Sequence, residues 1–364
     1  MKEKIMTINI DNAAGKFEQW QAKSREECFL TINTIECHTG GEPLRIITSG
    51  FPVLKGDGIL AKVEECKQNY DDLRRALMFE PRGHADMYGA IITGAERVDS
   101  HFGAIFIHNE GYSTMCGHAV IALTKCAVES GVVTQTGDVT KVVIDVPCGQ
   151  IHALAYSEND VVKQVSFKCV PSFVYAKEQQ IQVDELGTVE FDIAYGGAFY
   201  AYVQASSLGL SLVPEQHEKL IDYGRKIKQA IIDSPLPELT ITHPTTAGLS
   251  FLYGVIFIDD SPNKDVHSRN VCIFADGELD RSPTGSGVSG RIALHHAKGE
   301  VALNEAITIE SILASPFSVS AVETLNFSGF DAVIPQVTGD AYICGKGEWL
   351  INSDDPLKYG FLLR

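Results

Sequence analysis

TMCGHAVIALTKCAVES, residues 114–130, is one of two short stretches that decide how this chain is read. Its apolar residues recur at helical spacing, and Gly131 stands where a helix of that length takes its C-terminal cap. TGSGVSGRIALHHAKG, residues 284–299, has the same design: a glycine-opened start, a run of small apolar residues, then a glycine stop. Working outward from both, strand-like runs bounded by Gly-rich turns fill most of the remaining sequence. They include 28–35, 88–93 and 103–108 before the first helix, and 161–170, 190–195, 199–203 and 252–258 before the second. A longer amphipathic helix is expected over about 214–232, and strands resume at Val301. The two halves thus share a grammar of strands, a turn and one apolar helix. It is a weak internal repeat by identity and a stronger one by position. Residues 1–27 read as an extension outside the fold, and the passage between halves is expected at about 150/151.

A chain of 364 residues has a natural length for two domains. Hydrophobic residues at 45% and charged residues at 21% predict a packed core. The formal net charge of −17 repels nucleic acid and anionic lipid, so neither is expected as a partner. The first ten residues lack a sustained apolar core, and no apolar run approaches membrane-spanning length. A cytoplasmic location is therefore expected. Nine scattered cysteines contain no Cys-x-x-Cys pair, so a disulfide scaffold is not expected. Eight of them are read as small buried hydrophobes, and Cys116 is set apart.

Cys116 sits at a helix start, where the positive end of the helix dipole favours a thiolate. Gly117 follows and leaves the backbone open to a ligand, and His118 is placed to orient the thiol or meet a substrate. The unpaired amides of a helix start suit a carboxylate. The alternative is a buried helix residue beside a glycine that is only an accident of packing. DRSPTGSG, residues 280–287, supplies a second set of free amides, with Asp280 available to pair with an amine. The alternative is an ordinary loop capped by Ser282 or Thr284. It lacks the Gly-Lys-Ser/Thr ending of a phosphate loop. Two such starts facing each other would hold one carboxylate from both sides and place its α-carbon between residues 116 and 284. That arrangement suits proton removal from an amino acid. The clusters 36–43 and 81–86 mix ligand-type residues with glycine, but neither has the spacing of a zinc site, and no metal is expected. His295 and His296 are read as complementing a helix C-terminus, and His101 and His108 as structural.

Taken together, ECHTGGEPLRII (36–47), EPRGHADMYGAI (80–91), MCGHAVIAL (115–123), FDIAYGGAFYA (191–201), DRSPTGSGVSGR (280–291) and DPLKYGFLL (355–363) resemble the proline racemase family. The resemblance runs from about residue 29 to the end. It implies an α+β fold like that of diaminopimelate epimerase: two similar domains, each a curved mixed sheet wrapped around a central helix. The active site would lie in the cleft between them. Residues from about 345 to 364 would return to the first domain. It implies a small-molecule substrate, no pyridoxal phosphate or other cofactor, and a homodimer as the common assembly. Gly117, His118, Gly285 and Ser286 would hold the carboxylate through their amides, with Asp280 and His118 facing the ring nitrogen.

At one position the chain departs from the racemase pattern. Racemases and hydroxyproline epimerases carry a second cysteine where this sequence has Thr284. A threonine hydroxyl is a far weaker acid, and no neighbouring base is evident in the sequence to activate it. The Cys/Thr pattern resembles the trans-3-hydroxy-L-proline dehydratases of the family. It implies α-proton removal by Cys116, loss of the 3-hydroxyl and tautomerisation to Δ1-pyrroline-2-carboxylate. Thr284 is expected to hydrogen-bond the leaving hydroxyl or position a water near it. A racemase or epimerase using Thr284 with water, and a non-catalytic binder of proline-like ligands, are the alternatives.

Overall fold

The computed structural model describes residues 29–363; Cys28 and the expected extension 1–27 lie outside them. Two buried helices organise everything else. One is α3 (Gly117–Glu129) and the other α5 (Gly285–Ala297). Each is buried along most of its length, and a helix buried in that way is wrapped on every side. The wrapping is supplied by strands. β1 (Phe29–Thr39), β2 (Glu42–Ser49), β6 (Val139–Val146), β7 (Gly149–Glu158), β8 (Val161–Lys168) and β18 (Ala341–Asn352) pack against α3. β9 (Ser172–Val183), β10 (Gly187–Tyr195), β11 (Phe199–Gln204), β16 (Pro316–Phe327) and β17 (Phe330–Gly339) pack against α5. All are strands of one sheet, joined between the two lobes by antiparallel pairing of β17 with β8.

The remaining strands reveal the repeat. They are β3 (Tyr88–Thr93), β4 (Phe102–His108) and β5 (Tyr112–Ser113) in the first half, and β12 (Leu252–Asp259), β13 (Ser268–Phe274), β14 (Glu278–Asp280) and β15 (Ala306–Glu310) in the second. In the first half β2 pairs parallel with β3, β3 antiparallel with β4, and β4 parallel with β6. In the second, β11 pairs parallel with β12, β12 antiparallel with β13, and β13 parallel with β15. In both, a short strand leads directly into the buried helix. The positional repeat in the sequence is therefore a repeat of topology.

Several expectations need correcting. Two helices in the first half, α1 (Ile59–Asn69) and α2 (Asp71–Met78), stand where only turns and short strands were expected. The parallel pairing of β2 with β3 requires a crossover, and these helices fill it, as α4 (His217–Ile232) fills the crossover from β11 to β12. The buried positions Ile59, Val63 and Cys66 carried the helical spacing that was passed over. The expected passage at 150/151 falls inside β7, a strand paired on both sides and packed on α3. We place it after Lys168, with return at Ala341. β18 pairs along the whole of β1, and Phe361 bridges to Glu80. Among the described cysteines, Cys344 is exposed and Cys148 half-buried, against the expectation that both are buried. His295 does not offset the dipole of α5. Burial and nearby Arg291 lower its pKa to about 4, leaving a neutral ring bonded to Glu300 at 2.6 Å.

Candidate active site

The N-termini of α3 and α5 meet end to end. A Cβ placed on Gly117 would stand 2.4 Å from the Cα of Gly285, and one on Gly285 would stand 2.5 Å from the Cα of Gly117. No side chain fits at either position, which is the physical reason for a glycine directly after Cys116 and directly after Thr284. The sequence-derived residues Cys116, Gly117, His118, Asp280, Thr284, Gly285 and Ser286 all line one cavity there. Met115, Tyr88, Tyr200, Tyr253 and Phe274 complete the wall. The enclosed volume is ≈ 20 Å³, little more than one water requires. A proline-sized ring enters only when these walls part. A larger groove of ≈ 700 Å³ beside Tyr175 and Phe330 contains no thiol and none of these residues.

Cys116 is the N-cap of α3. Its backbone is extended, and its Sγ accepts from the Ala119 amide at 3.4 Å. His118 Nδ1 lies 3.1 Å from the same sulfur. His118 is held near the turn between β1 and β2, where Thr39 donates to its carbonyl at 2.9 Å. Burial lowers the imidazole pKa to about 3, so the ring is neutral and can share a proton with the thiol. The dipole expectation for Cys116 fails in the closed cavity. Burial drives its pKa well above the ordinary thiol value, Asp280 and Glu42 push the same way, and the Ala119 amide and Tyr88 hydroxyl only partly oppose them. Desolvation of a charged sulfur outweighs the partial charge of a helix end.

Across the cavity, Thr284 caps α5 at φ 67°, a left-handed conformation that a β-branched residue rarely holds. Asp280, at the end of β14, fixes it. Thr284 Oγ1 donates to Asp280 Oδ2 at 2.8 Å, while the Ser282 amide donates to Oδ1 at 2.7 Å. The sequence had shown no base beside Thr284; the structure provides one four residues earlier. Burial raises the Asp280 pKa, against the pull of the Ser282 and Thr284 hydroxyls. Glu42, wholly buried, is raised further still by burial and by Asp280. Its Oε2 accepts from the Arg281 amide at 2.8 Å. The 36–43 cluster therefore ties the first half to the 280–287 loop, a tie reinforced where Ser315 Oγ donates to the Gly40 carbonyl at 2.7 Å. The Arg281 guanidinium lies 3.5 Å from Glu42 Oε2 and partly offsets the charge of both carboxyls.

The site has members that motif reading missed. Tyr200 Oη bonds Ser286 Oγ at 2.7 Å, and Tyr88 Oη bonds Ser113 Oγ. His108, read as structural, joins the halves through Nδ1 to Glu278 Oε1 at 2.9 Å and stacks on Tyr88. Tyr200 and Tyr253 lay unnoticed inside strand-like runs. The available signal was a phenol in an otherwise apolar strand, since a buried Tyr hydroxyl needs a partner.

A family model described as proline racemase matches residues 34–362. A protein of Colwellia psychrerythraea named trans-3-hydroxy-L-proline dehydratase is 81% identical over 99% of this chain and 100% of its own length. One of Burkholderia multivorans named 3-hydroxyproline 2-epimerase is 43% identical over 92% of this chain and 98% of its own. The crystal structure of a hydroxyproline epimerase from Agrobacterium vitis, with bound trans-4-hydroxy-L-proline, superposes with a TM-score of 0.84 at 28% identity, covering 92% of this chain and 96% of that one. With two apposed helix starts, a capping thiol and a match along nearly its whole length, this chain belongs to the proline racemase family.

Proposed function

We propose that this protein is a trans-3-hydroxy-L-proline dehydratase whose catalytic base is Cys116. The observation that carries the reading is the asymmetry of the two helix caps: a thiol on α3 faces a threonine on α5 whose proton is committed to Asp280. The naming of the Colwellia relative supports the same reading. The amides of Gly117, His118, Gly285 and Ser286 hold the substrate carboxylate, and Asp280 and His118 face the ring nitrogen. Charge that develops on the carboxylate during proton removal is stabilised by those amides, which need no reorganisation. The Cys116 thiolate takes the α-proton, the C–H electron pair forms the C2=C3 bond, and the 3-hydroxyl leaves as water. The resulting enamine tautomerises to Δ1-pyrroline-2-carboxylate. Each step uses only groups of this chain. A substrate zwitterion of this kind carries its own compensating charges into a site rich in acids.

The epimerase name of the Burkholderia relative gives the competing reading, in which a second proton donor acts from the α5 side. Proton NMR in D2O with trans-3-hydroxy-L-proline, trans-4-hydroxy-L-proline and L-proline separates them. Conversion of the 3-hydroxy compound alone to a pyrroline carboxylate is the expected result. Inversion at C2 of any of the three, the 3-hydroxy compound included, in place of pyrroline formation would sink the dehydratase reading.

A further inference from the structure

Tyr253 stands on β12 and lines the cavity. Its ring is fixed by stacking on Phe274 (centroids 5.5 Å apart) and by an edge contact with Tyr200 at 5.8 Å. The residue is only 7% exposed, yet its Oη has no hydrogen-bond partner among the described residues. The other two tyrosines of the wall are satisfied, Tyr88 by Ser113 and Tyr200 by Ser286. An orphaned buried hydroxyl costs about 1–3 kcal/mol, so a phenol held rigid in that state points to a partner that arrives with the substrate. The charges Tyr253 feels are those of Glu278 and Cys116; the Tyr88 and Ser113 hydroxyls, already bonded to each other, lie within its reach without completing a hydrogen bond to it. All but Glu278 belong to the half that carries Cys116.

Stereochemistry then decides what the phenol meets. In trans-3-hydroxy-L-proline both the α-hydrogen and the 3-hydroxyl lie on the ring face opposite the carboxylate. When the α-hydrogen points at Cys116, the hydroxyl points to the same side, and Thr284 lies behind the ring on the other helix. We propose that Tyr253 is the residue that recognises the 3-hydroxyl, its free O–H donating to the hydroxyl oxygen on the Cys116 face. This rests on the dehydratase reading above and moves the leaving-group role expected of Thr284 to the opposite wall. As the C3–O bond breaks, negative charge grows on that oxygen and the phenol donor holds it more tightly. The hydroxide departs as water by taking up the proton that Cys116 removed, and the thiolate is restored.

The test is Tyr253→Phe, which keeps both ring contacts and deletes one oxygen. Loss of one preorganised donor at a developing oxyanion lowers turnover by about 10²–10³. The expected result is a fall in kcat/KM of about 100-fold or more for trans-3-hydroxy-L-proline. The inhibition constant of pyrrole-2-carboxylate, a planar ring acid with no hydroxyl, should stay within about twofold, because it brings no hydroxyl for the phenol to meet. A variant whose kcat/KM falls by less than about threefold would overturn the assignment. So would a loss of pyrrole-2-carboxylate binding in step with the loss of turnover, since that reports a damaged pocket. Wild-type protein unable to dehydrate the substrate would overturn the dehydratase reading itself, and this inference with it.

Discussion

Replacing Gly117 by alanine tests the end-to-end helix contact on which the whole site depends. Elsewhere in a helix the change gains up to about 1 kcal/mol of propensity. Here the new methyl would lie 2.4 Å from the Gly285 Cα and 3.1 Å from both the Gly285 carbonyl carbon and Phe167 Cζ. Carbon atoms rest at about 3.5–4.0 Å, so the helix starts must separate by about 1 Å or more, against backbone that cannot rotate away. Overpacking of this kind costs about 1–3 kcal/mol. At roughly 2.1 cal/mol/K per residue of unfolding entropy, 364 residues give about 0.8 kcal/mol/K, so Tm should fall by about 1–4 °C. Activity should suffer more, by about 100-fold, because a misplacement of about 1 Å at a reacting centre has that effect. Gly285→Ala should behave alike, its methyl falling 2.5 Å from the Gly117 Cα. The double variant should lose less than the sum of the two, since the first substitution has already forced the helices apart. Calorimetry and steady-state rates on the three variants give the answer. Wild-type Tm and turnover in Gly117→Ala, or simple additivity in the pair, would refute the claim that these helix ends touch.

Cys116→Ser should keep the fold and lose turnover and α-deuterium exchange by about 10³-fold or more, read by NMR in D2O; an active serine variant would remove Cys116 from the chemistry. Thr284→Cys should bring back measurable inversion at C2 of proline-type substrates by polarimetry, because it restores an acid on the second face. A silent variant would place the block elsewhere in the pocket. The pH dependence follows from the raised Cys116 pKa. The reactive form is the thiolate, so kcat/KM for the free enzyme should climb with pH to above the ordinary thiol value. The stability term has the opposite sign. A folded pKa above the unfolded one favours the thiol form of the native state, so that contribution is fully present below the unfolded thiol pKa and is lost as pH rises through the folded one. Cys116→Ser should remove this alkaline loss from a Tm-against-pH series, and an unchanged series would mean the thiol is not buried in solution.

The residue pattern by itself determined a good deal. Two glycine-opened helices with runs of small apolar residues in a strand-rich chain specify two wrapped helices, because such runs are stable only when buried. The motifs around Cys116 and Asp280–Ser286 named the residues that the fold gathers into one cavity, since helix starts, glycines and a capping thiol are local features written in consecutive residues. Three matters were decided only by tertiary structure. The protonation of Cys116 and His118 follows from burial by residues far away in sequence, and desolvation has no local signature. The Thr284–Asp280 bond depends on a left-handed backbone at residue 284 that composition does not announce. The orphaned phenol of Tyr253 is visible only once β12 brings it to the same cavity as Cys116. In sequence it is one more apolar ring in a strand, and in the fold it is an unanswered donor facing the thiol's side of the site.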